Sequence, residues 1–298
     1  MNRKLVPLLT SGVNERLLAV RDRLVSARDG HSASGDSRTE RVACSLDLGR
    51  SEVTVSVGCH SWQWNDQALP VLESCKARTI YYWSGVGFLP VSRFTTSLVK
   101  LVPTVWGPPT FEIDGIKMLP SARVSPFLDA ERKVGLIQPQ GKLILDTCGG
   151  LGYFAVWCLR GGAARVLSYE KNPDVLWLRT LNPWSPDSPW SVQPPSSPPA
   201  PLTLALGDVA KKIAELGDGC VTAIVHDPPR ISIAGELYSQ EFYGQLARVL
   251  KRGGKMFHYT GAPHSVSRGR NLPSEVSIRL RRAGFKIDVQ GDGIVAVR

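Results

Sequence analysis

The sequence predicts an α/β fold with a mostly parallel sheet, preceded by a small, mostly β domain. Three observations carry the prediction. Lys142 to Lys171 reads as apolar strand, glycine turn, apolar helix and second strand. Ala223 to Tyr259 repeats the alternation of buried-type strand and helix. Between Arg41 and about Met118, short alternating runs punctuated by turn residues replace any helical period. The chain accordingly divides into residues 1–40, a helix and linker, residues 41–122, the β-rich domain, and residues 123–298, the α/β domain.

Taken in order, Val13, Leu17, Val20 and Leu24 form one stripe of a helix from Val13 to Ser26, with Arg16, Arg21 and Arg23 opposite. Core packing accounts for it better than phosphate docking. Asp29 to Arg41, rich in Ser, Gly and Asp, reads as a linker. Val53, Val55 and Val57 alternate with polar neighbours, and Thr79–Trp83 and Phe111–Met118 read as strands, the last with a hairpin turn at Asp114–Gly115. A short helical stretch is expected to end at Glu73. Trp62, Trp64, Tyr81, Tyr82 and Trp83 suit core or interface packing better than base stacking. With no cluster of acids, bases or metal ligands, this domain is expected to position substrate or make a homodimer contact.

Pro126 to Ile137 supplies a helix leading into the sheet. Leu143, Ile144 and Leu145 leave no room for surface alternation, as in a strand buried on both faces. Gly149, Gly150 and Gly152 then let the chain turn sharply and admit a ligand close to the backbone. Tyr153–Leu159 continues as helix, Gly161 and Gly162 stop it, and Val166–Tyr169 is a strand with Glu170 at its carboxyl end, where open α/β sheets bind ligands. Val175, Leu176, Leu178 and Leu181 mark a further helix ended by Pro183. Residues 183–201 hold eight prolines and read as a surface insertion. A strand from Leu202 meets Gly207 and Asp208, and Asp208 is placed to cap a helix from Val209 to Leu216. Val221–Val225 is a buried strand; Glu241–Leu250 is a helix stopped by KRGG; Lys255–Tyr259, Pro273–Ala283 and Phe285–Val297 follow as strand, helix and closing hairpin. Thr260 to Arg270, with His264, Arg268 and Arg270, reads as a basic loop.

Thirty-six basic against 26 acidic residues give a net charge of +10 and a pI near 9.5, which favours a polyanionic partner. Nucleic acid suits it better than a membrane surface, since no lipid-anchoring feature accompanies the charge. No apolar run reaches spanning length and no cleavable leader is seen, so a cytoplasmic protein is expected. The six cysteines form no CxxC pair, which argues for reduced, buried thiols and against disulfides or a bound metal.

The glycine turn separates cofactor classes. GxGxxG of dinucleotide sites is absent; CGGLG follows Asp146 instead. Asp146, Cys148, Gly150 and Gly152 resemble the first motif of class I, Rossmann-like methyltransferases that use S-adenosylmethionine, with Cys148 where a glycine is usual. The resemblance implies that Asp146, Thr147, Cys148, Gly149, Gly150, Gly152 and Tyr153 receive the methionine part of the cofactor. It also implies that Glu170, with Lys171 beside it, binds the ribose hydroxyls, and that Asp208, after Gly207, contacts the adenine amino group.

Asp227, Pro228, Pro229 and Arg230, at the end of the Val221 strand, resemble the (D/N/S)PP(Y/F/W) motif of methyltransferases acting on planar amino nitrogens. Such a nitrogen is a poor nucleophile because its lone pair is delocalised into the ring. Hydrogen bonds from its two N–H groups to Asp227 and the Pro228 carbonyl would free that pair, and Asp227 would take the proton. Arg230 departs from the motif; its guanidinium can stack or hold a phosphate, and Tyr238, Phe242, Tyr243 or Tyr259 is expected to supply the missing ring, with His226 beside them. LDTCGGLGY, NPWS, HDPPR, AGELYS, EFY, RVLKRGG and FHYTG together resemble archaeal-type predicted methyltransferases with a front β domain, over about residues 42–298. That likeness implies RNA modification, at cytosine amino groups of ribosomal RNA. A polyamine synthase, a DNA methyltransferase and a non-catalytic RNA-binding module are the alternatives.

Overall fold

The computed structural model describes residues 6–29, 38–187, 200–261, 266–267 and 270–298. It separates into two units, Met1–Pro126 with Thr180–Trp184, and Phe127–Arg179 with Ser185–Arg298. The expected linker, proline insertion and basic loop fall largely on 30–37, 188–199 and 262–269, outside the described residues apart from the short strand at Val266–Ser267.

The second unit is built on a seven-stranded sheet. Its strands are β1 (Leu143–Asp146), β2 (Arg165–Glu170), β3 (Leu202–Leu206), β4 (Val221–His226), β5 (Leu250–Tyr259), β6 (Lys286–Gln290) and β7 (Gly293–Val297). Their order is β3-β2-β1-β4-β5-β7-β6, with β1 to β5 parallel and β7 antiparallel between β5 and β6. Ile144 and Leu145 are buried, whereas Leu143 is 41% exposed, so the apolar run is covered on both faces only toward its carboxyl end. The helices are α1 (Pro126–Ile137), α2 (Tyr153–Arg160), α3 (Pro173–Leu181), α4 (Val209–Lys212), α5 (Gln240–Val249) and α6 (Leu272–Arg282). Ile224, Met256 and Ile294 of the sheet share one core with Leu246 of α5 and with Val276 and Leu280 of α6. The helix expected over Val209–Leu216 is shorter, α4 passing into a 3-10 turn at Ile213–Glu215.

KRGG does not stop α5 with a turn. Leu250 already pairs with Val221, the next pair is Ala223 with Lys255, and 251–254 are the slack between them. Glycine permits the excursion: Gly253 has φ +76°, and a Cβ on Gly254 would lie 2.6 Å from the Leu250 side chain.

In the first unit, four-stranded antiparallel sheets are formed by Glu40–Cys44, Val53–Val57, Ser61–Trp64 and Gln67–Pro70, and by Ile116–Lys117, Thr110–Ile113, Leu98–Val102 and Ser92–Phe94; a third sheet joins Leu8–Leu9, Tyr81–Trp83 and Phe88–Pro90. The helix Ser11–Asp29 brings Val13, Leu17 and Val20 onto Val55, Val57, Trp62 and Leu69, the core role expected of its stripe. Asp114 and Gly115, at φ +48° and +77°, make the predicted hairpin turn. The helical stretch before Glu73 does not form: residues 71–80 are irregular, and Glu73 instead accepts a hydrogen bond from Arg21. Trp62 is fully buried, donates from Nε1 to the Pro70 carbonyl at 3.0 Å and lies 6.1 Å from Phe88 between ring centroids. It is a core residue, not a base-stacking platform. Of the thiols, Cys44 and Cys158 are buried as expected, but Cys220 is exposed. Among the described residues no helix is long and apolar enough to cross a membrane.

Because Trp62 has both its ring and its N–H committed, Trp62→Ala is expected to destabilise the first unit by about 3–5 kcal/mol, read as a lowered urea midpoint with far-UV detection.

Candidate active site

The site begins where β1 ends. Gly149 N–H donates to the Tyr169 carbonyl at 2.7 Å, Gly150 N–H to Glu170 Oε2 at 2.9 Å, and Gly152 N–H to the Gly149 carbonyl at 2.7 Å. The turn is thereby tied to the end of β2. Gly150 and Gly152 have φ of +47° and +83°, and a Cβ on Gly149 would lie 2.4 Å from Ser168 Oγ and 2.6 Å from the Arg179 guanidinium.

Arg179 is the residue the sequence reading missed. It is 5% exposed, and from α3 its Nε donates to the Gly150 carbonyl at 2.6 Å and its Nη2 to the Gly149 carbonyl at 2.7 Å. Its signal was a charge four residues after Val175, on the apolar stripe of the helix. The guanidinium also balances two buried acids. Asp146, 1% exposed, accepts a hydrogen bond from Ser168 Oγ at 2.8 Å; burial pushes its carboxyl up to about 6, against the pull of Ser168 and Arg179. Glu170 is likewise raised by burial, while the Asn172 and Gly150 N–H groups and the Arg179 charge oppose the shift. Each Glu170 oxygen accepts one backbone N–H, Oε1 from Asn172 and Oε2 from Gly150, both at 2.9 Å, which fixes the plane of the carboxylate.

Gly207 N–H donates to the Glu170 carbonyl at 2.9 Å, so the turn after β3 sits beside β2. There Asp208 caps α4, Oδ1 accepting from Ala210 N–H at 3.0 Å. Lys171 extends outward, 3.6 Å from Glu236. Two of the residues expected at the cofactor turn inward instead. Tyr153 is buried edge-on to Phe127, ring centroids 5.3 Å apart, and Thr147, also buried, bonds to His226.

Asp227 follows β4, its side chain 13% exposed, and lies near enough to Cys148 of the glycine turn for its charge to add to the burial that keeps that thiol protonated. Pro228 is buried and Arg230 exposed. Behind Asp227, four residues expected to touch substrate, His226, Tyr238, Phe242 and Tyr243, are buried. His226 is fully buried, and both ring nitrogens have partners: Nδ1 is 2.8 Å from Thr147 Oγ1 and Nε2 is 3.1 Å from the Leu237 carbonyl. A carbonyl only accepts, so the proton is on Nε2 and Thr147 donates to Nδ1. Tyr238 is buried and donates its hydroxyl to the Pro229 carbonyl at 2.9 Å; Tyr243 is buried with its hydroxyl 2.9 Å from His258 Nε2. His226 on β4, Tyr238 in the 3-10 turn Gly235–Tyr238 and Tyr243 on α5 are all turned into the core behind the Asp–Pro–Pro turn. Tyr259, the remaining candidate for the missing ring, is partly exposed.

A cation neutralises this corner. Lys133 of α1, 1% exposed, has Nζ 2.7 Å from Asp129 Oδ2 and 3.6 Å from Asp227 Oδ2. Burial raises the Asp227 carboxyl above its ordinary range, and the Lys133 charge opposes that rise.

Over 275 residues the sequence is 42% identical to the uncharacterized protein MJ1233 of Methanocaldococcus jannaschii, covering 88% of this chain and 91% of that one. A family model described as S-adenosyl-L-methionine-dependent methyltransferase matches residues 192–289. The chain belongs to the same family as MJ1233, and its residues 192–289 match the methyltransferase model. Among solved structures, a spermidine synthase in complex with the transition state analogue AdoDATO matches 88% of the methyltransferase and 82% of its own chain, with a TM-score of 0.55 at 12% identity, which shows a shared fold. The S-adenosylmethionine dependent methyltransferase from Mesorhizobium loti matches over 56% and 94% of the two chains, with a TM-score of 0.39 at 14% identity. The methyltransferase has the class I fold, and S-adenosylmethionine is its cofactor. The glycine turn, close-packed behind by Arg179 and flanked by an oriented carboxylate on β2, suits that cofactor's backbone-facing and diol-bearing parts.

Two outcomes are expected. Arg179→Met, which frees both glycine carbonyls, weakens S-adenosylmethionine binding by roughly 10–100-fold or more, at about 1.5–3 kcal/mol per charge-assisted hydrogen bond; calorimetry giving an unchanged Kd would refute a role for Arg179 in shaping the turn. The second concerns acid. Burial pushes His226 down from 6.5 to about 3, and burial together with His226 pushes His258 well below its ordinary value. The unfolded chain therefore binds protons that the native state refuses, and stability, full above pH 6.5, is lost as pH falls toward 3, by about 1.4 kcal/mol per pH unit for each histidine. The raised carboxylates act in the opposite sense, so the comparison is between variants. His226→Gln, which keeps a donor and an acceptor, shows a shallower loss of urea stability between pH 6 and 4 than the unaltered protein.

Proposed function

We propose that this methyltransferase methylates the exocyclic amino nitrogen of cytosine or adenine in RNA, with ribosomal RNA as the substrate class. The observation that carries the reading is Asp227, a partly exposed carboxylate at the end of β4, beside the glycine turn and followed by two prolines. When bound, S-adenosylmethionine supplies a methyl group already activated by its sulfonium. Glu170, its plane fixed by two backbone N–H groups, accepts from the ribose hydroxyls, and Asp208 accepts from the adenine amino group while capping α4. Asp227 and the Pro228 carbonyl accept the two N–H groups of the acceptor amine, and Asp227 receives the proton released on transfer. Tyr238 holds the Pro229 carbonyl and so fixes the turn that aims both acceptors. Orientation supplies much of the rate, since the electrophile needs no further activation. Arg230, exposed at the rim, and the partly exposed Tyr259 offer planar surfaces to the base. A net charge of +10 supports a polyanionic substrate.

A polyamine acceptor is the less favoured reading. Its ammonium would approach Asp227, which already has the Lys133 ammonium 3.6 Å away.

The test is transfer of labelled methyl from S-adenosylmethionine into total RNA, DNA and protein from cells lacking this chain, followed by nucleoside mass spectrometry. Label in a cytosine or adenine amino group of RNA is expected; label confined to DNA, protein or small molecules overturns the reading. Asp227→Ala is expected to lower transfer by about 10²–10⁴-fold while cofactor affinity is kept, whereas undiminished transfer would remove Asp227 from the chemistry.

A further inference from the structure

We propose that Lys133 is a positioning residue for methyl transfer: its ammonium, fixed on α1 by Asp129, keeps the Asp227 carboxylate ionised and holds it at the end of β4. The proposal rests on the reading of Asp227 as acceptor of the amine proton.

The geometry sets Lys133 apart from a lysine that merely completes a core ion pair. Its Nζ lies between two carboxylates, 2.7 Å from Asp129 and 3.6 Å from Asp227, and 4.2 Å from the centre of the Tyr259 ring. The rings of Phe154 and Phe257, each 5.9 Å away, close the remaining sides. Asp129 is occupied on both oxygens, Oδ2 by Lys133 and Oδ1 by Arg132 at 2.9 Å. Arg132 in turn reaches Asp292, in the turn between β6 and β7, at 2.6 Å. Asp129 thus serves as the anchor, and Asp227, 13% exposed against 7% for Asp129, is the member of the pair that faces outward.

The groups that face Asp227 come from every element packed around it. Lys133 and Asp129 approach from α1, Tyr259 from the end of β5, Asp292 from the β6–β7 turn, Tyr238 from the 3-10 turn Gly235–Tyr238, and Cys148 from the glycine turn. Burial and the two neighbouring aspartates all favour a neutral Asp227; Lys133 is the cation that opposes them. A carboxyl that entered the reaction protonated could still accept an N–H on its carbonyl oxygen but could not take the amine's proton. As the nitrogen–methyl bond forms and the sulfonium–methyl bond breaks, the amine proton passes to Asp227 and leaves through its exposed edge, while Lys133 stays an ammonium throughout. Asp129 and Lys133 stand four residues apart, so one helical turn presents both.

Lys133→Met removes the charge at similar length, and Lys133→Met with Asp129→Asn also removes the carboxylate the first change would leave buried and unpaired, which protects the fold. The protein labelled with ¹³C at aspartate carboxyls is titrated by NMR, with Asp227 assigned from Asp227→Asn. In both variants the Asp227 midpoint is expected to rise by roughly one pH unit or more, and the acidic limb of the methyl-transfer rate to move up with it, at a cofactor Kd changed less than twofold. A purely structural lysine would lower activity evenly with pH and leave the midpoint in place; that result overturns the proposal. A moved midpoint in a protein that transfers no methyl to any amine overturns both the positioning role and the amine reading, whereas an unmoved midpoint in an active enzyme overturns only the role of Lys133.

Discussion

The contact on which the active end of this protein depends is the grip of a buried arginine on two glycine carbonyls. A guanidinium with 5% exposure is costly to bury unless its N–H groups find acceptors, and Arg179 finds them in the backbone of the glycine turn after β1. The same charge lies near Asp146 and Glu170 and offsets part of what their burial costs. Three functions therefore rest on one side chain: shape of the turn, tolerance of two buried acids, and attachment of α3 to β1 and β2. Lysine, a point charge on a flexible stem, could not hold two carbonyls with a rigid fork.

The far side of the site solves a different electrostatic problem by different means. Around Asp227 the partners are side chains rather than backbone, and the cations Lys133 and Arg132 alternate with Asp129, Asp227 and Asp292. Neutral, fully hydrogen-bonded groups lie beneath: His226 links Thr147 to the Leu237 carbonyl, and Tyr238 holds Pro229. A carboxylate so placed can exchange a proton without leaving an unpaired charge in the interior.

Much of this was legible in the sequence. The parallel strands, the glycine turn, Glu170 at the end of β2 and the two prolines after β4 are local patterns, each written in consecutive residues. Arg179, Lys133 and Asp292 were not, because their meaning arises from partners 29, 94 and 160 positions away, respectively Gly150, Asp227 and Arg132. Tyr238 and Tyr243 read as stacking platforms because they follow the Asp–Pro–Pro turn in the chain, but the 3-10 turn that carries Tyr238 and the helix that carries Tyr243 bury both rings. The helical stretch expected to end at Glu73 is irregular in the structure, and the exposed Glu73 carboxylate pairs with Arg21. KRGG carried a turn signal correctly but of the wrong kind, since two adjacent glycines serve a bulge as readily as a helix stop.

The placement of β7 has a consequence for how the protein is made. This strand follows β6 in the chain yet lies inside it, bonded to β5 on one side and β6 on the other. During synthesis β5 therefore emerges from the ribosome with an unpaired edge, and that edge stays open until some forty residues later, after α6 and β6 have appeared. Tyr259, whose ring covers the Lys133 ammonium, pairs with Gly293 at the very start of β7. The surroundings of Asp227 are thus completed only when β7 closes against β5, whereas the glycine turn's contacts with β2 and with Arg179 lie wholly within residues 149–179.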